Sequence, residues 1–162
     1  MVTDAQISQT IIETSMSIIE SNLKTYVDSF SDVSHHLDDL CSVVSDDIEF
    51  KDPFNHVYDK NKFIKVMQHF VENSEDAHFN VNPYHIEMNE NGAQTILHWT
   101  FTAKIKIIGQ WRFEGMSLVH INKAGLINRH IDFWDSGEHF YKHIPVVGFL
   151  IKKIIKRVKI HE

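Results

Sequence analysis

The sequence predicts an α+β domain: helices come first, a curved sheet follows, and an amphipathic helix ends the chain. Three observations carry that expectation. Apolar residues recur at alternating spacings of four and three as far as Val71, the period of one helix face. From Phe79 onward they fall at every second position, the period of a strand with one buried side. Among those strands stand NENG and NKAG, which carry the residue types of tight turns.

The elements follow in order. Ile12, Met16, Ile19, Leu23, Tyr26, Val27 and Phe30 form one stripe and predict a helix from about residue 6 to 30. SDVS supplies N-cap residues for a shorter second helix that carries Leu37, Leu40, Cys41 and Val44 and ends near Asp46. DDIEFKDP then alternates, and parity puts Asp52 on the same face as Ile48 and Phe50. Asp59 stands where it can cap a third helix with Phe63, Val66, Met67, Phe70 and Val71 on its apolar side. Phe79 and Val81 open the strand region, and after an interruption at Pro83 come Tyr84, Ile86 and Met88. Ala93 to Ile107 reads as one long strand. Leu97, Trp99, Phe101, Ala103, Ile105 and Ile107 share its core side, opposite His98, Thr100, Thr102, Lys104 and Lys106. Gly109 turns the chain into WRFEGMSLVHI, and LINRHIDFWD completes a meander of at least three antiparallel strands.

From Pro145 an amphipathic helix is predicted, with Val146, Val147, Leu150, Ile151, Ile154, Ile155 and Val158 apolar and Gly148 weakening it. Two placements are open: docked on the body or a partner subunit, or lying on an anionic membrane surface. The longest uncharged run there, Ile144 to Ile151, is far too short to cross a bilayer. At 162 residues the chain suits one core rather than two. Residues 1–143 are read as the domain, and 144–162 as a basic helix that is part of it or an appendage.

Charge is unevenly placed. Lys152, Lys153, Lys156, Arg157 and Lys159 are five basic residues with no acid among them; taking them from the net charge of −6 leaves −11 on the rest. A body so acidic excludes general nucleic-acid binding, which needs a basic face to displace phosphate counterions. Cys41 is the lone cysteine, so no internal disulfide forms, and MVTDAQISQT has no basic start followed by an apolar run. The expected compartment is the cytoplasm.

Several side chains can carry chemistry. Asp52 has two readings: a base desolvated on an apolar face, or a strand-end aspartate accepting backbone hydrogen bonds in the turn before Pro53. His130, Asp132 and Trp134 share one strand face, the first two roughly 7 Å apart at Cα, so they either hold a water or substrate oxygen between them or form a satisfied polar layer. Trp99 and Trp111 are pocket wall or core filling. The twelve histidines include His139 and His143 at helical spacing and the adjacent His35 and His36, but no third ligand accompanies either pair, so no native metal is expected. A Gly-x-Ser-x-Gly elbow and glycine-rich phosphate loops are missing, and Cys41 reads as a buried helix residue. No cofactor is expected.

SDDIEFKDPF (Ser45 to Phe54), WRFEGMSLVHINKAGLI (Trp111 to Ile127) and HIDFWD (His130 to Asp135), in this order of elements, resemble the nuclear transport factor 2-like superfamily. The likeness is to its SnoaL-like, ketosteroid-isomerase-like side and spans roughly residues 8 to 142. It implies a cone-shaped roll, helices packed on a curved mixed, mostly antiparallel sheet. It also implies a deep pocket on the concave face and dimerisation through the outer face. Within it Asp52 of FKDPF matches the general base and Tyr26 the oxyanion donor. Trp134 matches a pocket tryptophan, and Asp132 with His130 the acid/base of polyketide-cyclase relatives. Ser117 stands where ketosteroid isomerases place a second donor acid. The expectation is therefore a homodimeric binder of a small apolar or carbonyl-bearing molecule, lined by Phe54, Trp99, Trp111, Ser117 and Trp134. The alternatives are a cofactor-free isomerase or cyclase with Asp52 or Asp132 as base, and an interaction or membrane-surface module using residues 145–160.

Overall fold

A computed structural model describes residues 3–105 and 108–160. Thr3 caps the first helix, α1 (Asp4–Ser29), in a reciprocal capping box with Gln6. Its apolar stripe is buried from Ile19 through Leu23 to Tyr26, whereas Ile12 and Met16, on the same stripe, are exposed. Asp32 accepts the His35 amide to start α2 (Val33–Ser42), and Asp59 accepts the Lys62 amide to start α3 (Lys60–Asn73), whose Phe63 and Met67 are buried.

The second helix ends earlier than its pattern predicts. Val44 already belongs to β1 (Val44–Lys51) and pairs with Ile127, whose amide donates to the Val43 carbonyl at 2.9 Å. Val44 suits either period, and the ladder to a distant strand decides it. After β1 come β2 (His56–Tyr58), β3 (Glu75–Val81), β4 (Glu87–Asn89), β5 (Gly92–Ile105), β6 (Gly109–Asn122) and β7 (Ile127–Phe133). They form one open sheet in the order β2-β1-β7-β6-β5-β3, with β4 also on β5. Only the β1–β7 pair is parallel among the described strands, and β5 and β6 run as a hairpin from Gly92↔Asn122 to Ile105↔Gly109. Lys106 and Ile107 of the predicted long strand lie outside the described residues.

The helices cover one side of this sheet. Leu97, Trp99, Phe101 and Ala103 of β5 are buried with Phe113, Val119 and Ile121 of β6. Phe101 alone meets the rings of Phe70, Phe79, Trp111 and Phe113 within about 6 Å. Gly115 is required here by space: a Cβ would lie 2.3 Å from the Trp99 ring. The chain closes with α4 (Ser136–His139), a 3-10 turn at Tyr141–His143, and α5 (Val147–Val158). α5 packs mainly on that turn, where Gly148 is buried and a Cβ would lie 2.1 Å from the Lys142 carbonyl oxygen.

Candidate active site and ligand cavity

Between α3 and the concave side of the sheet is a cavity of about 1010 Å³. The buried side of α3 contributes Val66, Met67 and Phe70; Phe50 and Asp52 enter from the end of β1, and Trp111 and Asp132 from β6 and β7. Phe54 and Phe140, with ring centroids 4.8 Å apart, also line it, as do the charged Lys65, Glu72 and Lys104. By area the wall is mainly apolar, while ten of its twenty lining residues are polar: Lys65, His69, Glu72 and Asn73 on α3 and Ser74 and Glu75 just after it, with Asp52 and Asp132 at the ends of β1 and β7.

Behind the wall a line of hydrogen bonds joins residues from four elements. The Trp99 indole N–H has only one role, donor, and lies 2.8 Å from Ser117 Oγ. Ser117 can then give its own proton to Asp132 Oδ1, 2.5 Å away. The same Oδ1 is 2.7 Å from His130 Nε2, which must donate, and the other ring nitrogen, Nδ1, lies 2.8 Å from the Tyr26 hydroxyl. Burial, and next the charge of Asp132, hold the pKa of Tyr26 well above 10.0. The neutral phenol can donate to Nδ1, and with the His130 proton placed on Nε2 every member of the line has a partner. Tyr26, His130, Ser117 and Trp99 are buried, while the side chain of Asp132 is 17% exposed and reaches the cavity. Among the described residues no hydrogen bond reaches its second oxygen, Oδ2.

Asp52 sits differently. Its Oδ1 accepts the amides of Phe54 and Asn55, each at 2.6 Å, and the Asn55 side-chain nitrogen lies 2.9 Å from Oδ2. Both oxygens are thus engaged by their own turn, an arrangement in which the carboxylate shapes the loop that carries Phe54. Parallel pairing sets Phe50 beside His130 and Lys51 beside Ile131.

The structure brings Asp52, Asp132, Phe54 and Trp111 to the cavity and sets Tyr26, His130, Ser117 and Trp99 one layer back. Trp134 stacks between Phe54, Trp111 and Phe113 without reaching the lining. Sequence reasoning passed over Met67, Ile105 and Phe140, which also line the cavity. The α3 residue was visible as part of an apolar face, which looks the same whether it meets a sheet or a void. The histidine pairs are engaged separately: His35 with Asp32 at 2.8 Å, His36 with Asp39 at 3.2 Å, and His139 stacked on Phe113. Among the described residues no group of three His, Cys, Asp or Glu side chains is placed to hold a metal.

Known proteins can be set beside this geometry. An NTF2-like protein of unknown function from Exiguobacterium sp. 255-15 superposes with a TM-score of 0.59 at 18% identity, covering 68% of this chain and 95% of its own. A protein with a ketosteroid isomerase-like fold from Catenulispora acidiphila, in complex with trimethylamine, does so at 0.60 and 7%, covering 73% and 88%. RV0760c from Mycobacterium tuberculosis, in complex with estradiol-17beta-hemisuccinate, gives 0.59 at 10%, covering 73% and 94%. No curated protein matches significantly. At such identities the likeness is one of fold. The family model of the SnoaL-like domain, however, matches residues 23–130, from the last two turns of α1 into β7. The chain shares its fold with NTF2-like structures and belongs to the SnoaL-like family.

Proposed function

We propose that this chain is a cytoplasmic, homodimeric binder of a small ring-containing or carbonyl-bearing molecule, held in the α3–sheet cavity. The observation that carries the reading is the cavity itself: about 1010 Å³, its wall more apolar than polar by area, and lined by Asp132, whose carboxylate is bonded through Oδ1 only among the described residues. A large apolar surface with few convergent polar groups is the usual build of a small-molecule site. The complexes of RV0760c with estradiol-17beta-hemisuccinate and of the Catenulispora protein with trimethylamine, on the same fold, support it. Trp111 lines the cavity and provides the probe. Titration with a panel of polycyclic ketones is expected to quench tryptophan emission, and Val66→Phe, which fills space on the α3 wall of the same cavity, is expected to weaken binding at least tenfold. The reading fails if no ketone quenches and native mass spectrometry of the purified protein finds no bound small molecule.

Support for the homodimer lies on the outer side of the sheet. Ile96, Met116 and Phe133 are 62%, 50% and 57% exposed there, and pairing sets Met116 beside Phe133 on adjacent strands. Contiguous apolar surface of this kind marks an interface. Light scattering is expected to give a dimer for the parent protein and a monomer for the double variant Met116→Lys, Phe133→Lys; a parent monomer at micromolar concentration contradicts it.

A second reading has its own observation. Oδ1 of Asp132 is anchored twice while Oδ2 is unengaged, which is the arrangement of a positioned general base. In it Oδ2 takes a proton from the carbon next to a carbonyl, the electron pair moves onto the carbonyl oxygen, and the proton returns to the same or a conjugated carbon. Tyr26, His130 and Ser117 are positioning residues for that carboxylate. Asp52, with both oxygens engaged in its turn, shapes the loop that carries Phe54.

A further inference from the structure

We infer that α5 is a docking element for an anionic lipid surface, and that the cavity takes its ligand, an amphiphile dissolved in the bilayer, past the Phe54–Phe140 pair that the chain places just before that helix. At about 100° per residue, Leu150, Ile151, Ile154, Ile155 and Val158 fall within roughly 140° of the helix circumference. Leu150, Ile154, Ile155 and Val158 are exposed, and nothing among the described elements covers them. The remaining arc carries Lys152 and Lys159 on one flank, Lys156 in the middle, and Lys153 and Arg157 on the other, with no acid anywhere on it. Phe149, near the end of the helix closest to the body, is the one large apolar residue on that arc.

This distribution favours a planar partner. Cations spread over the whole polar arc match a continuous layer of anionic headgroups better than the few fixed carboxylates of a protein groove. Lysines on both flanks of an apolar sector can keep their ammonium groups among headgroups while their stems lie along the acyl boundary. The rest of the chain, at −11 without these five residues, is repelled by the same surface, so attraction is confined to α5 and fixes how the molecule approaches.

Approach by α5 has a consequence for the cavity. The helix is tied to the 3-10 turn through Gly148 against Lys142, with the Gly148 amide donating to the Ile144 carbonyl at 2.7 Å. Tyr141 of that turn packs on Phe140, which lines the cavity in edge contact with Phe54. A helix seated on the bilayer therefore holds the Phe54–Phe140 part of the cavity wall near the interface, where an apolar ring compound is concentrated. This ligand route rests on the proposed binding function; the docking itself does not.

Flotation of the full chain with phosphatidylcholine vesicles, with and without one-third phosphatidylglycerol, tests both parts. Binding is expected only to the anionic vesicles and is expected to fall with salt. With roughly fivefold in partitioning from each basic residue near the surface, the triple variant Lys152→Gln, Lys156→Gln, Arg157→Gln is expected to bind on the order of a hundredfold more weakly. Leu150→Ser with Ile154→Ser is expected to abolish binding. Both sets of changes lie outside the cavity, so quenching of Trp111 by ketone in free solution is expected to persist in them. Equal binding to neutral vesicles, an unaffected charge variant, or α5-dependent self-association without vesicle binding overturns the docking. A ketone preloaded into vesicles is expected to quench Trp111 faster from anionic than from neutral ones; equal rates overturn the route. Flotation without quenching in free solution overturns the binding function and leaves the docking standing.

Discussion

Asp132→Ala is expected to lower stability by about 4 kcal/mol, because it strips the acceptor from two donors at once. The His130 Nε2–H and the Ser117 hydroxyl both meet Asp132 Oδ1, and both belong to buried residues. At roughly 3 °C per kcal/mol for a chain of this size, thermal denaturation should show a fall of about 12 °C. Asp132→Asn is the informative companion. Its amide oxygen can still accept from Ser117 and His130, while the amide nitrogen takes the position of Oδ2 on the cavity wall. Its cost is expected to stay within about 1 kcal/mol. The pair separates the structural work of Oδ1 from any chemistry at Oδ2. If the proton-transfer reading holds, exchange of a ketone's α-protons into deuterated water is lost in Asp132→Asn and kept in Asp52→Asn. Exchange at the parent rate in both variants removes Asp132 as the base.

Gly115→Ala is expected to cost about 3 kcal/mol, a large effect for one methyl group. The added carbon would lie 2.3 Å from Cη2 and 2.5 Å from Cζ2 of Trp99. The far edge of a ring can often swing aside, but this one is held on three sides: its N–H is bonded to Ser117, and its faces and edges meet Phe79 and Phe113 at 5.2 and 5.8 Å. Displacement breaks the donor at the head of the line that ends on Tyr26, so the damage reaches the cavity wall. A double-mutant cycle with Trp99→Phe checks the mechanism. The smaller ring leaves room, and a coupling of about 1 kcal/mol or more is expected; additive costs would show that the clash is relieved elsewhere.

The periods of the sequence were enough to place the helices and most of the strands, because one-sided burial imposes them directly: Ile19, Leu23 and Tyr26 on α1, and Leu97, Trp99, Phe101 and Ala103 on β5. Periodicity carried no sign of the parallel β1–β7 pairing; only the resemblance implied a mixed sheet. The boundary of α2 was misplaced for a related reason, since Val44 and its neighbours satisfy either period until a partner strand is present. Parity brought Asp52 to an inward face, but which of its oxygens are occupied depends on Asn55 folding back, a matter of turn geometry. The hydroxyl of Tyr26 finds His130 across 104 residues of chain, and no local pattern announces such a partner. Sequence therefore identified several members of the site while leaving their layering, front row or back, to tertiary packing.

The parallel pairing of β1 with β7 also sets the order of assembly. β5 and β6 are joined by a short connection and can zip from it, a fast local event. The wall that holds Asp132 needs the first strand and the last to meet, with α1 delivering Tyr26 from still further upstream. Closing loops of that length is slow and becomes favourable only when the contacts on both sides form together. Partly folded chains accordingly own a hairpin but no cavity: the molecule acquires that enclosed wall in the same late step that makes it a finished domain.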